Sequence, residues 1–161
     1  MTSETSTTSL APARRRAVLS RELRRERCEA ARWALASGRP LNLDAVTVIL
    51  AVRSFESVGE GKPFHRWTTH DITSFVWGSA VGWCGANGIE VPADLAESMW
   101  SYLAFVGATD RLVSGSSPPG DLLDALGEAA GLTRAGRRSR SRRAQPAAEV
   151  RILRHDPEPA S

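Results

Sequence analysis

The chain has 161 residues and a mass of 17.4 kDa, the size of one ordinary domain, and its two cysteines exclude a disulfide framework. The formal net charge of +3 is unevenly distributed: residues 40–132 carry four basic and eleven acidic side chains, whereas residues 1–39 and 133–161 each carry five more basic than acidic side chains. Every basic residue except Lys62 is an arginine. This preference indicates a GC-rich bacterial genome, and arginine also suits phosphate binding.

The N-terminal twelve residues are rich in serine and threonine and predict a disordered segment. They lack the apolar core of a secretory signal, and the glutamates at positions 4, 22, 26 and 29 argue against an organellar transit peptide. Cys28 and Cys84 are expected to stay reduced. We therefore expect a cytoplasmic protein.

The first helix is predicted from Ala13 to Ser37, because Gly38 and Pro40 end it. At about 100° per residue, one line of this helix is cationic and is formed by Arg14, Arg21, Arg25 and Arg32. The opposite line is apolar and is formed by Leu19, Leu23, Ala30 and Ala34. The apolar line is expected to face the core.

The second helix is predicted over residues 41–57, with Asp44 as its N-cap. Its β-branched run also suits a strand, so this assignment keeps an alternative.

The third helix is predicted to open at Thr68, which forms a capping box with Asp71, and to end at Asn87-Gly88. Its apolar residues cover most sides, which favours a central, buried helix over a membrane span. A strip of small residues, Ser74, Gly78, Gly82 and Gly85, is expected to let a neighbouring backbone come close. A leucine at Gly82 should then be destabilising.

A fourth helix is predicted to start near Pro92 and a fifth to cover Asp121 to Ala130. The sequence therefore predicts an all-α bundle of about five helices over residues 13–132. The residues before it and the basic tail 133–161 are predicted to be disordered.

No catalytic or cofactor-binding motif is present, so an enzyme is not indicated. His65, His70, Asp71 and Cys84 occur close together in sequence, but they lack the paired spacings of a structural zinc site. His70 and Cys84 would also lie about 20 Å apart on one helix. We therefore expect no metal and no cofactor.

The strongest functional signal is a block of five arginines in seven residues: Arg137, Arg138, Arg140, Arg142 and Arg143. Such a block is typical of nucleic-acid binding, in which arginines contact DNA or RNA phosphates without reading bases. The arginine line of the first helix would add phosphate contacts, because that helix carries no Asn or Gln to read base edges. A merely solubilising tail or attraction to an anionic membrane surface uses the same charges.

Three tryptophans, Trp67, Trp77 and Trp100, are candidates for a partner surface, since tryptophan is enriched at interface hot spots. Ordinary core packing explains them equally well. They support a second hypothesis, a protein-binding adaptor or regulator whose acidic helical body is the interaction surface. The sequence leaves the oligomeric state open.

Overall fold

The computed structural model describes residues 19–133 and Gly136. These residues form an all-α fold of five helical segments, the third of which is interrupted by a π-turn, with no strand among them, as predicted. The predicted disorder of residues 1–12 and of the tail lies outside this range, apart from Thr133 and Gly136. None of the helices in the described range is long and apolar enough to cross a membrane.

Helix α1 spans Arg21–Ala36 and begins later than the predicted Ala13. The Ser20 hydroxyl caps it by accepting a 3.2 Å hydrogen bond from the Leu23 amide, which satisfies one of the free N–H groups of the first turn. Residues 13–18 lie outside the described range. Leu19, Ala30 and Ala34 are buried, so the predicted apolar side of this helix is confirmed.

Helix α2 spans Leu43–Glu60, which excludes the strand alternative. Its N-cap is Asn42 and not the predicted Asp44: the Asn42 side chain accepts hydrogen bonds from the amides of Asp44 and Ala45 at 2.8 and 3.2 Å. Asp44 lies in the first turn, where a carboxylate suits the positive end of the helix dipole.

The third helical run comprises α3 (Thr69–Ser74), a π-helical turn (Phe75–Ser79) and α4 (Ala80–Ala86). The predicted capping box of Thr68 and Asp71 is present. In the π-turn the Ala80 amide bonds to the Phe75 carbonyl, five residues back. This extra residue per turn keeps Ile72, Phe75, Ala80 and Cys84 together on the buried side.

The expectation that this run is central and buried on most sides is wrong. Trp77 and Val81 are exposed, and a Cβ built on Gly78, Gly82 or Gly85 would meet nothing within 4 Å. The small strip therefore faces open space and not a neighbouring backbone, and the expected cost of a leucine at Gly82 disappears with it.

Helices α5 (Leu95–Ala108) and α6 (Pro119–Ala130) complete the bundle. Helix α5 starts three residues after the predicted Pro92. It occupies the centre together with α2, since these two helices supply most of the buried side chains. Two buried serines of α5 hold the loop between α1 and α2: Ser98 accepts from the Asn42 amide at 2.9 Å, and Ser101 donates to the Pro40 carbonyl.

Candidate nucleic-acid interface

Helix α1 buries one carboxylate and exposes four of its arginines. Glu26 points into the protein and is buried, on the same side as Ala30 and Ala34. Arg21, Arg24, Arg25 and Arg32 are all exposed. Arg21, Arg25 and Arg32 belong to the predicted arginine line, whereas Glu26 was not predicted as a buried residue, although its i, i+4, i+8 spacing with the two alanines was a usable signal.

Glu26 is the centre of a buried cluster that joins three parts of the fold. Its carboxylate accepts a 2.6 Å hydrogen bond from the Tyr102 hydroxyl on α5 and lies 3.0 and 3.1 Å from His65 Nε2 in the loop before α3. Arg111, just beyond α5, lies 3.6 Å away. A buried carboxylate needs such partners, because burial without them would cost several kcal/mol.

The cluster keeps Glu26 ionised. Burial alone would raise the pKa of Glu26, but the hydrogen bonds from His65 and Tyr102 and the attraction of His65 and Arg111 outweigh it, so the pKa is lowered. Burial and the neighbouring Glu26 carboxylate raise the pKa of Tyr102 well above its ordinary range, so Tyr102 stays a hydrogen-bond donor.

The second inward-leaning carboxylate of α1, Glu29, is also neutralised from outside the helix. The Arg111 guanidinium forms an ion pair with Glu29 and lies over the Phe105 ring, 4.7 Å from its centroid. Arg111 therefore pairs with both Glu26 and Glu29, and of the four exposed arginines of α1 only Arg25 shares one of these carboxylates.

The outward arginines form a stripe with few internal contacts. Arg25 lies 3.8 Å from Glu29, a loose pair with Arg25 largely exposed, and Arg21, Arg24 and Arg32 have no ion pair within the part of the chain that the structure describes. From Arg21 to Arg32 the stripe is about 16 Å long. That length matches about five nucleotides of one strand at 3.4 Å each.

Arg27 does not belong to this stripe. Its guanidinium donates a 2.8 Å hydrogen bond to the Thr47 hydroxyl on α2 and lines a cleft of about 940 Å³. Three carboxylates, those of Asp44, Glu90 and Asp94, also line this cleft. A phosphate would be repelled there, so the cleft is not a continuation of the stripe.

Of the three candidate tryptophans, only Trp77 can serve as a partner surface. It is 66 % exposed, whereas Trp67 is 0 % and Trp100 is 4 % exposed. The expectation that Trp67 and Trp100 are surface residues is therefore wrong. Trp67 lies under the buried guanidinium of Arg53, 4.0 Å from its ring centroid, where it holds the loop before α3 against α2.

The remaining residues that the sequence suggested for binding or metal coordination lie outside the described range, in the core or at the surface. Arg14 and the five arginines from Arg137 to Arg143 lie outside the described residues. His65 is a partner of Glu26, Cys84 is a core residue and His70 is exposed at the start of α3. Across residues 19–133 no three His, Cys, Asp or Glu side chains are grouped so that they could hold a metal ion.

No protein-family model matches this chain, and neither the curated proteins nor the solved structures contain a significant match to it. Its function is therefore inferred from its own residues and their geometry.

Proposed function

We propose that this is a non-catalytic, nucleic-acid-associated accessory protein whose arginine-rich segments contact phosphates without reading base sequence. One observation carries the proposal: four exposed arginines of α1 point outward with few partners, while Glu26 and Glu29 are held by groups from outside the helix, namely His65, Tyr102 and Arg111. The outer side of α1 therefore presents positive charge next to an acidic body.

The chemistry of the stripe favours phosphate over bases. Guanidinium groups match phosphate oxygens in a planar fork and remain charged at every physiological pH. No Asn or Gln occurs between Arg21 and Ala36 to pair with adenine edges. The five arginines from Arg137 to Arg143 add a second, denser set of charges, and we expect that set to supply the larger part of the affinity.

The test is the salt dependence of binding to random-sequence duplex DNA and to RNA. Each phosphate contact contributes about 0.9 to the slope of log affinity against log salt on duplex DNA. The triple variant Arg21→Ser/Arg25→Ser/Arg32→Ser should lower that slope by about 2 to 3, and serine at the five tail arginines by more. The control Arg39→Ser/Lys62→Ser/Arg66→Ser removes the same charge away from the stripe and should change the slope less.

Two results would contradict the proposal. The first is an intact protein that shows no salt-dependent binding to DNA or RNA at low salt. The second is a preference among sequences that disappears in the arginine variants, because phosphate contacts carry no such preference.

A second candidate function, a protein-binding adaptor, is favoured by the exposed side of the run Thr69–Ala86. Trp77 and Val81 are exposed there beside glycines that leave the helix backbone open, which suits close packing of another surface. In this function Trp77→Ser would abolish binding of a partner protein and leave nucleic-acid binding unchanged. The control is Phe55→Ser, since Phe55 is 69 % exposed on a different helix.

A further inference from the structure

The outer side of α6 carries a line of exposed carboxylates. Asp121, Asp124 and Glu128 are exposed, and at about 100° per residue they lie within about 60° of one another around the helix. The line is about 10 Å long. Of the cations between residues 19 and 133, none forms an ion pair with these three side chains.

The chain turns back toward this line after α6. Gly131 ends the helix in the left-handed conformation, and the amide of the buried Leu132 bonds to the Gly127 carbonyl at 3.0 Å. Gly136 is buried against Trp100: a Cβ built on it would lie 2.6 and 2.8 Å from Trp100 Cγ and Nε1. Its φ of +70° also favours glycine, so contact and conformation both fix this residue beside the tryptophan.

Trp100 connects this point to the acidic line. A cleft of about 370 Å³ is lined by Trp100 together with two of the carboxylates, Asp124 and Glu128, and with Leu132 and Thr133. Trp100 is almost completely buried, yet its Nε1–H has no hydrogen-bond acceptor in the described part of the chain. A buried indole N–H normally has one. The cleft therefore places two carboxylates close to the point where the chain passes Trp100, which suits a positively charged ligand.

We propose that the arm Arg137–Arg143 of the same molecule docks on this cleft and along the α6 line. The arm begins one residue after Gly136, which packs on Trp100 beside the cleft, so its guanidinium groups can pair with Asp121, Asp124 and Glu128. Seven extended residues reach about 20 Å, twice the length of the line. A short connection also gives the arm an effective concentration in the millimolar range, so weak pairs are sufficient.

The consequence, which rests on the proposed function, is self-inhibition. A docked arm cannot contact phosphates, so nucleic acid has to displace it from α6 first. The docking consists of surface ion pairs, which salt screens over about 10 Å at 0.1 M. The arm therefore leaves α6 as salt rises, and the competition is strongest at low salt.

The direct test measures the arm without nucleic acid. Trypsin cleaves after arginine, so the initial rate of cutting within residues 137–143 reports how accessible the arm is. In the full-length protein at low salt, Asp121→Asn/Asp124→Asn/Glu128→Gln should be cut at least five-fold faster than the original chain. The control Asp44→Asn/Glu90→Gln/Asp110→Asn makes the same change of charge at exposed positions elsewhere, and it should be cut at the original rate.

A second variant reaches the same result by another route. Gly136→Val leaves the carboxylates intact but places a side chain against Trp100, so it should also expose the arm. Equal cutting rates in the original chain, the α6 variant and the control would overturn the docking. Protection that grows with protein concentration would also overturn it, because the arm would then occupy a second copy.

The nucleic-acid measurement separates this proposal from the proposed function. If the docking and the proposed function are both correct, the α6 variant binds random-sequence DNA at low salt several-fold more tightly than the control Asp44→Asn/Glu90→Gln/Asp110→Asn. The two variants have equal net charge. If the trypsin difference is present and no variant binds nucleic acid, the docking stands and the proposed function fails. If DNA binding is salt-dependent and the trypsin difference is absent, the proposed function stands and the docking fails.

Discussion

Helix α1 and the helical run Thr69–Ala86 each have one side in the core and one side in solvent, but their outer sides differ in chemistry. The outer side of α1 carries arginines, whereas the outer side of the other run carries glycines, Val81 and Trp77. A line of several arginines identifies the outer side of a helix from sequence alone, because unpaired guanidinium groups cannot be buried cheaply. Glycine and tryptophan do not, since both occur inside proteins and at their surfaces.

The largest expected effect tests the two sides of the run Thr69–Ala86 against each other. Phe75→Ala should lower the free energy of unfolding by about 3 to 5 kcal/mol, because Phe75 is buried against Trp67 and would leave a cavity. Trp77→Ala should change it by less than about 0.5 kcal/mol, because the indole is mostly in solvent. Urea unfolding monitored by circular dichroism measures both. Similar losses in the two variants would show that the outer side is covered.

The next effect tests the inner side of α1. Glu26→Gln keeps the shape but removes the charge that His65, Tyr102 and Arg111 share, and it should cost about 1.5 to 3 kcal/mol of unfolding free energy. Glu22→Gln is the control, because Glu22 lies on the same helix and is exposed. If both substitutions cost the same, Glu26 does not hold α1 to the bundle.

A smaller effect of opposite sign is expected on the outer side of the second region. Gly82→Ala should stabilise the protein by about 1 kcal/mol, because alanine has the higher helix propensity and nothing lies near the new methyl group. Gly107→Ala is the matched control in α5. There the new Cβ would lie 3.0 Å from the Pro119 Cβ, so part or all of the gain should be lost. Thermal unfolding compares the two, and a destabilised Gly82→Ala would contradict the open strip.

The smallest effect is the pH dependence that Glu26 contributes. Its pKa is lower in the folded protein than the ordinary value of 4.5, so near that pH the unfolded chain binds more protons than the folded one. The stabilisation is therefore complete above pH 4.5 and is lost as the pH falls through the lower, folded value. The melting temperature of Glu26→Gln should fall less steeply on acidification than that of the original chain. Parallel curves for the two proteins would assign the acid sensitivity to other carboxylates.

The parts of the fold that depend on local sequence patterns could be predicted. The apolar line of α1 and the capping box at Thr68 follow from local patterns, and both are present in the structure. The spacing of Glu26 with Ala30 and Ala34 could have placed it on the buried side of α1, but its partners at positions 65, 102 and 111 could not be predicted. Nothing local to α1 shows that these groups meet there.

The error at the third run has a geometric cause. A straight α-helix places Trp77, Val81 and Cys84 on one side, and that grouping predicted a second apolar side. The π-turn rotates everything after it by about one residue, or about 100°. Cys84 therefore enters the core, while Trp77 and Val81 stay outside. The π-turn is stabilised because the helical run packs against α2 and α6. These contacts are between distant parts of the chain, so the local sequence does not predict the π-turn.

The π-turn also makes this helix unusual in the changes of length that it can accept. Deleting one residue inside an ordinary helix rotates all later side chains away from their contacts, so insertions and deletions are normally confined to loops. Here the surplus residue is already present. Removing Gly78, which is exposed and has open space at its Cβ position, would leave an uninterrupted α-helix with Ile72, Phe75 and Cys84 still on the inner side. In an alignment of relatives, a one-residue gap within Phe75–Ser79 would therefore mark the same fold and not a broken one.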